Sequence, residues 1–550
     1  MTPSAVSPIS AGAASARCRI LVPEKVSQDG LALLTPHFDV HLKPGLTPDE
    51  LKTIIPGYHG LIVRSETTVT ADVLKAGRKL KVVARAGVGV DNIDVPAATG
   101  QGIIVVNSPS GNILSAAEHT IALLLATARN VGRADASVKD GRWERSKLVG
   151  VEVGRKTLGI VGLGKVKAVD PYANADMAQQ AGVELVPELR DLLVDVDFLT
   201  IHTPLMATTM DLIGESELRT MKKTARVLNV ARGGVYNEAA LLKALDEGWI
   251  AGAGLDVFTS EPPTADSATE RLARHLRVVS TPHLGASTVE AQENVSMDVC
   301  TQVLEILRGG PPTSAVNAPI ILPEEYRKLQ PSVQLVEKMG RLYTQHFVKS
   351  KRGTVGGRRF ELIYHGDLSC MPNTKPLYAA LVKGLVASIS DSNINIVNAA
   401  LIAREKGIVI NETYARQAHD STYSNRVTLR SVAEGDESSG EQLIEGYTSD
   451  KHFYISRLDR FNAAFIPQGT LIILHNYDEP GKIGGVGMAL GSHGINIRFM
   501  QVASLGVEST KPQMENEALM ILGVDGEVDD DLLDELRKAD GVLNVSLVRL

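Results

Sequence analysis

Thr157-Leu-Gly-Ile-Val-Gly-Leu-Gly-Lys-Val-Lys-Ala-Val-Asp170 is the stretch whose reading decides the fold of this chain. Residues 157 to 161 read as a buried strand running into Gly162-Leu163-Gly164. That is the opening of a G-x-G-x-x-G fingerprint, in which glycines let the backbone approach a dinucleotide pyrophosphate at a helix N-terminus. The third glycine belongs at position 167, where Lys167 stands. An acidic residue for the ribose hydroxyls belongs about 20 residues on, at the end of the next strand. Asp170 is such a residue, but it follows Gly164 by only six positions. No sequence remains for the helix between the two strands. A parallel pair needs a crossover of about a dozen residues, so the turn read literally is a hairpin that makes strand 165–169 antiparallel.

Around this point the chain alternates short apolar strands with helical patterns. Strands are expected at Arg19–Val22, Gly60–Arg64, Val82–Arg85 and Ile103–Val106. A second series is expected near 157–161, 165–169, 197–201, 226–230, 253–257 and 277–280. Ser115-Ala-Ala-Glu118 before an apolar run reads as a capping box opening a long helix. The fold class is therefore α/β, with two Rossmann-like parallel domains. Residues 1–17 read as a disordered tail. Residues 18–114 form one domain, completed by about 290–318, and residues 115–289 form the dinucleotide-binding domain. Prolines 311, 312 and 319 lead into an α+β region, 320–465, with a basic cluster (Lys349, Lys351, Arg352, Arg358, Arg359) and an acidic, Ser-rich loop at 433–440. Residues 469–550 give the order βαββαβ, the ferredoxin-like pattern, with Ile483, Val486 and Leu490 on the apolar side of its first helix.

Composition narrows the partners. The net charge of −7, pI near 6.0 and 4% aromatic content argue against nucleic acid and anionic membrane surfaces. No apolar run reaches the ~18 residues of a membrane span. Cys18, Cys300 and Cys370 are too scattered for disulfides or a metal site, which suits a reducing, cytoplasmic compartment.

Hydride removal from a 2-hydroxy acid needs a base, a group that tunes the base, and a cation for the carboxylate. His283, Glu261 and Arg232 are of those types, each just beyond an expected strand where parallel sheets place ligands. A carboxylate beside the imidazole raises the pKa of the histidine and fixes its tautomer.

These motifs, Asn229-Val-Ala-Arg-Gly-Gly234, Ser260-Glu-Pro-Pro263 and Pro282-His-Leu-Gly-Ala-Ser287, with Arg85-Ala-Gly-Val-Gly-Val-Asp-Asn92, resemble the D-isomer-specific 2-hydroxyacid dehydrogenases. The middle region resembles the intervening domain of a long form in that family, and His475–Gly484 with Ile495-Asn-Ile497 resembles an ACT domain. The resemblance implies catalysis by Arg232, Glu261 and His283. It implies NAD contacts from Gly162, Gly164, Lys165, Val166, Asp170, Thr203, Ala231, Asp256, Gly285 and Ala286. The implied substrate is 3-phosphoglycerate, held by Arg64, Ser65, Arg85, Gly87 and Asn107, with Arg145 reaching into a neighbouring subunit of a homodimer or homotetramer. An array of arginines suits a substrate with a carboxylate and a phosphate. Asn476, Asp478 and Asn496 are the implied contacts for serine as effector. The implied reaction is NAD-dependent oxidation to 3-phosphohydroxypyruvate, the first step of phosphorylated serine synthesis. Losing the helix after Gly164 removes the positive helix end under the pyrophosphate. The expectation is therefore weak NAD binding, and a regulatory subunit that senses an amino acid is the alternative.

Overall fold

A computed structural model describes residues 17–161, 167–169, 178, 183–348, 355–388, 393–415, 425–432, 442–449, 452–505 and 516–550. Gly162, Gly164, Lys165, Val166 and Asp170 lie outside the described residues, as do most of the basic cluster and the acidic loop.

Five parallel strands form the first sheet, in the order Asp39–Leu42, Arg19–Val22, Gly60–Val63, Val82–Arg85, Ile104–Asn107. Its central strands are apolar and buried on both faces, as crossover helices require. The edge strand Asp39–Leu42 carries Asp and His and is half exposed, so it has no apolar run to announce it. The helix Val289–Leu307 returns from the second sheet and packs Val295, Val299, Cys300 and Val303 against Ile20, Val22 and Val82.

Seven parallel strands form the second sheet: Val278–Ser280, Gly252–Leu255, Arg226–Asn229, Phe198–Ile201, Leu158–Val161, Lys167–Val169, Glu184–Leu185. This corrects the hairpin reading. Lys167–Val169 runs parallel to Leu158–Val161, with Gly159 beside Lys167 and Val161 beside Val169. Neighbours on both sides set the direction: Lys167 also pairs parallel with Glu184, and Leu158 with Phe198. The order reverses between Leu158–Val161 and Phe198–Ile201, and such a switch point opens a ligand crevice at the strand ends.

The capping-box expectation is also corrected. The helix starts earlier, spanning Ile113–Ala128 with Asn112 at its N-cap. Ser115 lies inside the first turn, and its hydroxyl meets that of Thr288 at 2.7 Å.

The third sheet is mixed, in the order Val409–Ala415, Arg359–Gly366, Asn425–Val432, Gln442–Ser449, His452–Leu458, Phe461–Phe465. The helices Pro323–Tyr343 and Lys375–Val386 pack together on one face of it. The last sheet is antiparallel, in the order Asn496–Ser504, Glu517–Asp525, Thr470–Tyr477, Val542–Arg549. Ile472, Leu474, Met520 and Leu522 face its own two helices, while Leu471, Ile473, Leu519 and Ile521 join the core of the third sheet. Two buried faces explain the unbroken apolar run Leu471–Leu474. In the helix Lys482–Ser492, Val486 and Leu490 are buried, but Ile483 is exposed, contrary to expectation. No helix among the described residues is long and apolar enough to cross a membrane.

Candidate active site

Three loops at carboxyl ends of the second sheet converge. After Arg226–Asn229, the buried Asn229 side chain shapes the next turn, accepting from the Ala231 amide at 3.1 Å and donating to the Arg232 carbonyl at 2.8 Å. A Cβ at Gly233 would collide with the Phe258 carbonyl, so this turn packs backbone to backbone on the loop carrying Glu261.

After Gly252–Leu255 comes Asp256, 1% exposed. Its carboxylate accepts from the amides of Leu284 (2.7 Å) and Gly285 (2.8 Å), from the Thr281 hydroxyl (2.5 Å), and lies 3.1 Å from His119 Nε2. A buried anion with this many partners fixes the 281–285 loop. In that loop His283 has φ +56°, a conformation unusual for a residue with a side chain, held by its amide donating to the Asp256 and Thr281 carbonyls.

His283 Nδ1 lies 2.7 Å from Glu261 Oε2, and Glu261 Oε1 accepts from the Phe258 amide at 2.9 Å. Partial burial pushes the Glu261 carboxyl up, but the bonds from His283 and Phe258 outweigh it and hold it below its ordinary value. An ionised carboxylate only accepts, so the shared proton sits on Nδ1 and leaves Nε2 with a free lone pair. Asp256, Phe258, Glu261, Thr281 and His283 line one pocket.

Loops of the first sheet meet this group. The Arg232 Nε donates to Asp91 Oδ2 at 3.0 Å. Burial, then the neighbouring Arg232 cation, pushes the Arg85 guanidinium down to about 10, so it stays charged near neutrality. Arg64 lies beyond Val63 in a loop held from both sides. The buried Glu24 carboxylate accepts from the amides of Arg64 (2.8 Å), Glu66 (3.2 Å) and Thr67 (2.9 Å). The Asn92 side chain donates to the carbonyls of Arg64 and Thr67, each at 2.7 Å. Ser65 is exposed on this loop. The Gly87 carbonyl accepts from the Ser108 amide, and Asn107 donates to the Val88 carbonyl, closing the same surface.

Thr203 follows Phe198–Ile201 near the switch point, and its buried hydroxyl has no hydrogen-bond partner among the described residues. An orphaned donor at that crevice fits a polar cofactor. Ala231 and Ala286 are partly exposed, and Gly285 is buried. Arg145 is exposed in the turn Arg145–Lys147, and among the described residues no hydrogen bond joins it to the other arginines. Asn476 and Asp478 stand at one end of the last sheet and Asn496 at the other: Asn476 pairs with Ala518, Asn496 with Asp525. One chain does not bring these three together. Reading the sequence missed Glu24, Asn92 and His119. Asn92 stood inside a quoted motif, but Glu24 and His119 act from positions that no spacing marks.

Residues 121–285 match the family profile described as D-isomer specific 2-hydroxyacid dehydrogenase, NAD binding domain. This match, on parallel sheets with a switch-point crevice, gives the class: the chain is an NAD-dependent oxidoreductase of the D-isomer-specific 2-hydroxyacid dehydrogenase type. Residues 328–451 match the D-3-phosphoglycerate dehydrogenase intervening domain, and 470–541 the ACT domain. D-3-phosphoglycerate dehydrogenase of Synechocystis is 39% identical over 97% of this chain and 95% of its own. That of Archaeoglobus fulgidus is 37% identical over 97% and 100%. The chain belongs to the D-3-phosphoglycerate dehydrogenase family. A solved Polaromonas structure, titled a putative D-isomer specific 2-hydroxyacid dehydrogenase, shares the fold at TM-score 0.50 and 24% identity, covering 55% of this chain and 99% of its own.

Proposed function

We propose that this chain oxidises 3-phospho-D-glycerate to 3-phosphohydroxypyruvate with NAD, opening the phosphorylated route to serine. The observation that carries the reading is the Glu261–His283 pair, which engages Nδ1 and leaves Nε2 for the substrate; the turn bearing Arg232 packs on the loop bearing Glu261, and Arg64 and Arg232 both act electrostatically on Arg85. His283 Nε2 takes the C2 hydroxyl proton, and Glu261 stabilises the imidazolium that forms. Arg232 holds the substrate carboxylate and polarises the C2 oxygen. Arg85 and Arg64, with Ser65, Gly87 and Asn107, hold the remaining anionic group. NAD, when bound, would supply the hydride acceptor for C2; Thr203, Ala231, Asp256, Gly285 and Ala286 are the described residues proposed to hold it.

The apolar side chains exposed on Ile113–Ala128 and Val131–Lys139, including Ile121, Leu125 and Val138, with Trp143 83% exposed, support a homodimer or a tetramer built from it. Arg145, close by in sequence, is proposed to reach the neighbour's substrate. Asn476, whose buried Oδ1 has no partner among the described residues, supports serine as an ACT-domain effector, with Asp478 and Asn496 completing the contacts across two copies. Three free cysteines support a cytoplasmic location.

A second reading, a regulatory subunit without turnover, is favoured by the five residues between Val161 and Lys167. Titrating purified protein with NAD and serine separately decides between them. Turnover is expected to depend on both 3-phosphoglycerate and NAD. Serine binding without NAD binding selects the second reading.

A further inference from the structure

The strip Gly87-Val-Gly-Val-Asp91 meets two guanidinium groups on alternate residues. A Cβ at Gly87 would collide with Arg85 Nη1, and one at Gly89 with Arg232 Nη2. Two residues on, Asp91 Oδ2 accepts from Arg232 Nε at 3.0 Å. Arg232 is also tied at Nη1, which donates to its own backbone neighbour, the Ala231 carbonyl, at 2.7 Å. That second tie cannot aim the guanidinium across the cleft, because it comes from the same turn. The direction is set by Asp91 and by the notch at Gly89, both on the loop after Val82–Arg85 of the other sheet. Like charges on Arg85 and Arg232 repel, and Asp91, paired with Arg232, offsets that repulsion at Arg85.

Resting on the proposed reaction, we propose that Asp91 is a positioning residue for it. Asp91 holds the Arg232 guanidinium over the Gly89 notch, so that the face not engaged by Asp91 is presented to the substrate carboxylate. The side chain makes the pairing a contact between the two parallel-sheet domains, so the cation is aimed only while the cleft has this geometry. Val88 and Val90 carry no such role, since it is the alternate positions that face the guanidinium groups.

The test compares wild type, Asp91→Ala and Asp91→Asn in the full chain. Asn retains an acceptor oxygen where Nε points, and Ala does not. Asp91→Ala is expected to lower kcat/KM for 3-phosphoglycerate by about 10- to 100-fold, the cost of misplacing a binding group, and to leave KM for NAD within about twofold. Asp91→Asn is expected to recover to within about threefold of wild type. The Arg232 Nε–H resonance, assigned by its loss in Arg232→Lys, is expected to move in Asp91→Ala and to hold in Asp91→Asn. Wild-type kinetics in Asp91→Ala, or an Asn variant as impaired as the Ala variant, overturns the proposal. If the wild-type chain shows no turnover, the functional reading fails by itself. The resonance then decides alone, an unmoved Nε–H in Asp91→Ala overturning the positioning role.

Discussion

A single proton distinguishes the two ends of the His283 ring. Glu261 Oε2 at 2.7 Å fixes that proton on Nδ1, and the Phe258 amide fixes the carboxylate in turn. Glu261→Gln keeps the shape but replaces an obligate acceptor by a group that can also donate, so the ring can take the wrong tautomer. A fall in kcat of about 10²- to 10⁴-fold is expected, with KM for the hydroxy acid little changed. The same pair has a pH signature. Because the Glu261 carboxyl is held below its ordinary value of 4.5, its contribution to stability is present above that value and is lost as pH falls through the depressed one. Urea unfolding is expected to show Glu261→Gln less stable than wild type at neutral pH, with the gap closing as pH falls below the ordinary value of 4.5 and through the depressed one. A gap that stays constant with pH would falsify this assignment. The proposed catalytic residues were nominated from the sequence because each stands beside a Gly or Pro signature. Their geometry was not legible there, because it rests on Asp256 and Asn229, whose partners are brought together only by the sheet.

Elements in this chain are spaced by glycine as much as by apolar side chains. The helices Pro323–Tyr343 and Lys375–Val386 cross at Gly340 and Gly384, where a Cβ at 384 would collide with the Glu337 carbonyl and one at 340 would lie 2.8 Å from the Leu381 carbonyl. Gly384→Ala should relieve the chain-entropy cost of glycine yet destabilise the domain by roughly 1–3 kcal/mol through overpacking. Calorimetry showing an unchanged or raised unfolding midpoint would rule this out. The sequence could not reveal this crossing, since an isolated glycine in a helical pattern reads equally well as a weak point. Strand direction behaves similarly. The short link after Val161 favours a hairpin locally, but Glu184–Leu185 and Phe198–Ile201 on either side impose the parallel direction.

On the scale of the whole molecule, the last two modules are fastened to each other. The Gln345 side chain imitates a strand, donating to the Arg549 carbonyl at 3.0 Å and accepting from its amide at 2.9 Å, while His346 Nδ1 lies 2.6 Å from the Ser546 hydroxyl. With Leu471 and Ile521 in the core of the third sheet, the ACT module and the intervening module share one interior. A second surface, around Ile121, Leu125 and Trp143, stays open in the single chain. Ile121→Glu is expected to lower the solution mass from a dimer or tetramer to a smaller species in light scattering, because a charge cannot be buried there unpaired. An unchanged mass would exclude this face as the interface.

Order along the chain, the alternation of strands and helices, and the residue types at strand ends were written in the sequence, because periodicity and backbone chemistry are local. The broken fingerprint at Gly162–Lys167 was equally plain, and of what was expected from it the structure overturned the strand direction. Tertiary structure decided the direction of Lys167–Val169, the clamp of Glu24 and Asn92 on the Arg64 loop, the aim of Arg232, and the joining of two modules in one core. Each depends on groups far apart in sequence meeting at hydrogen-bond or van der Waals distance. Such meetings are settled by packing the sheets, not by any residue's own preference.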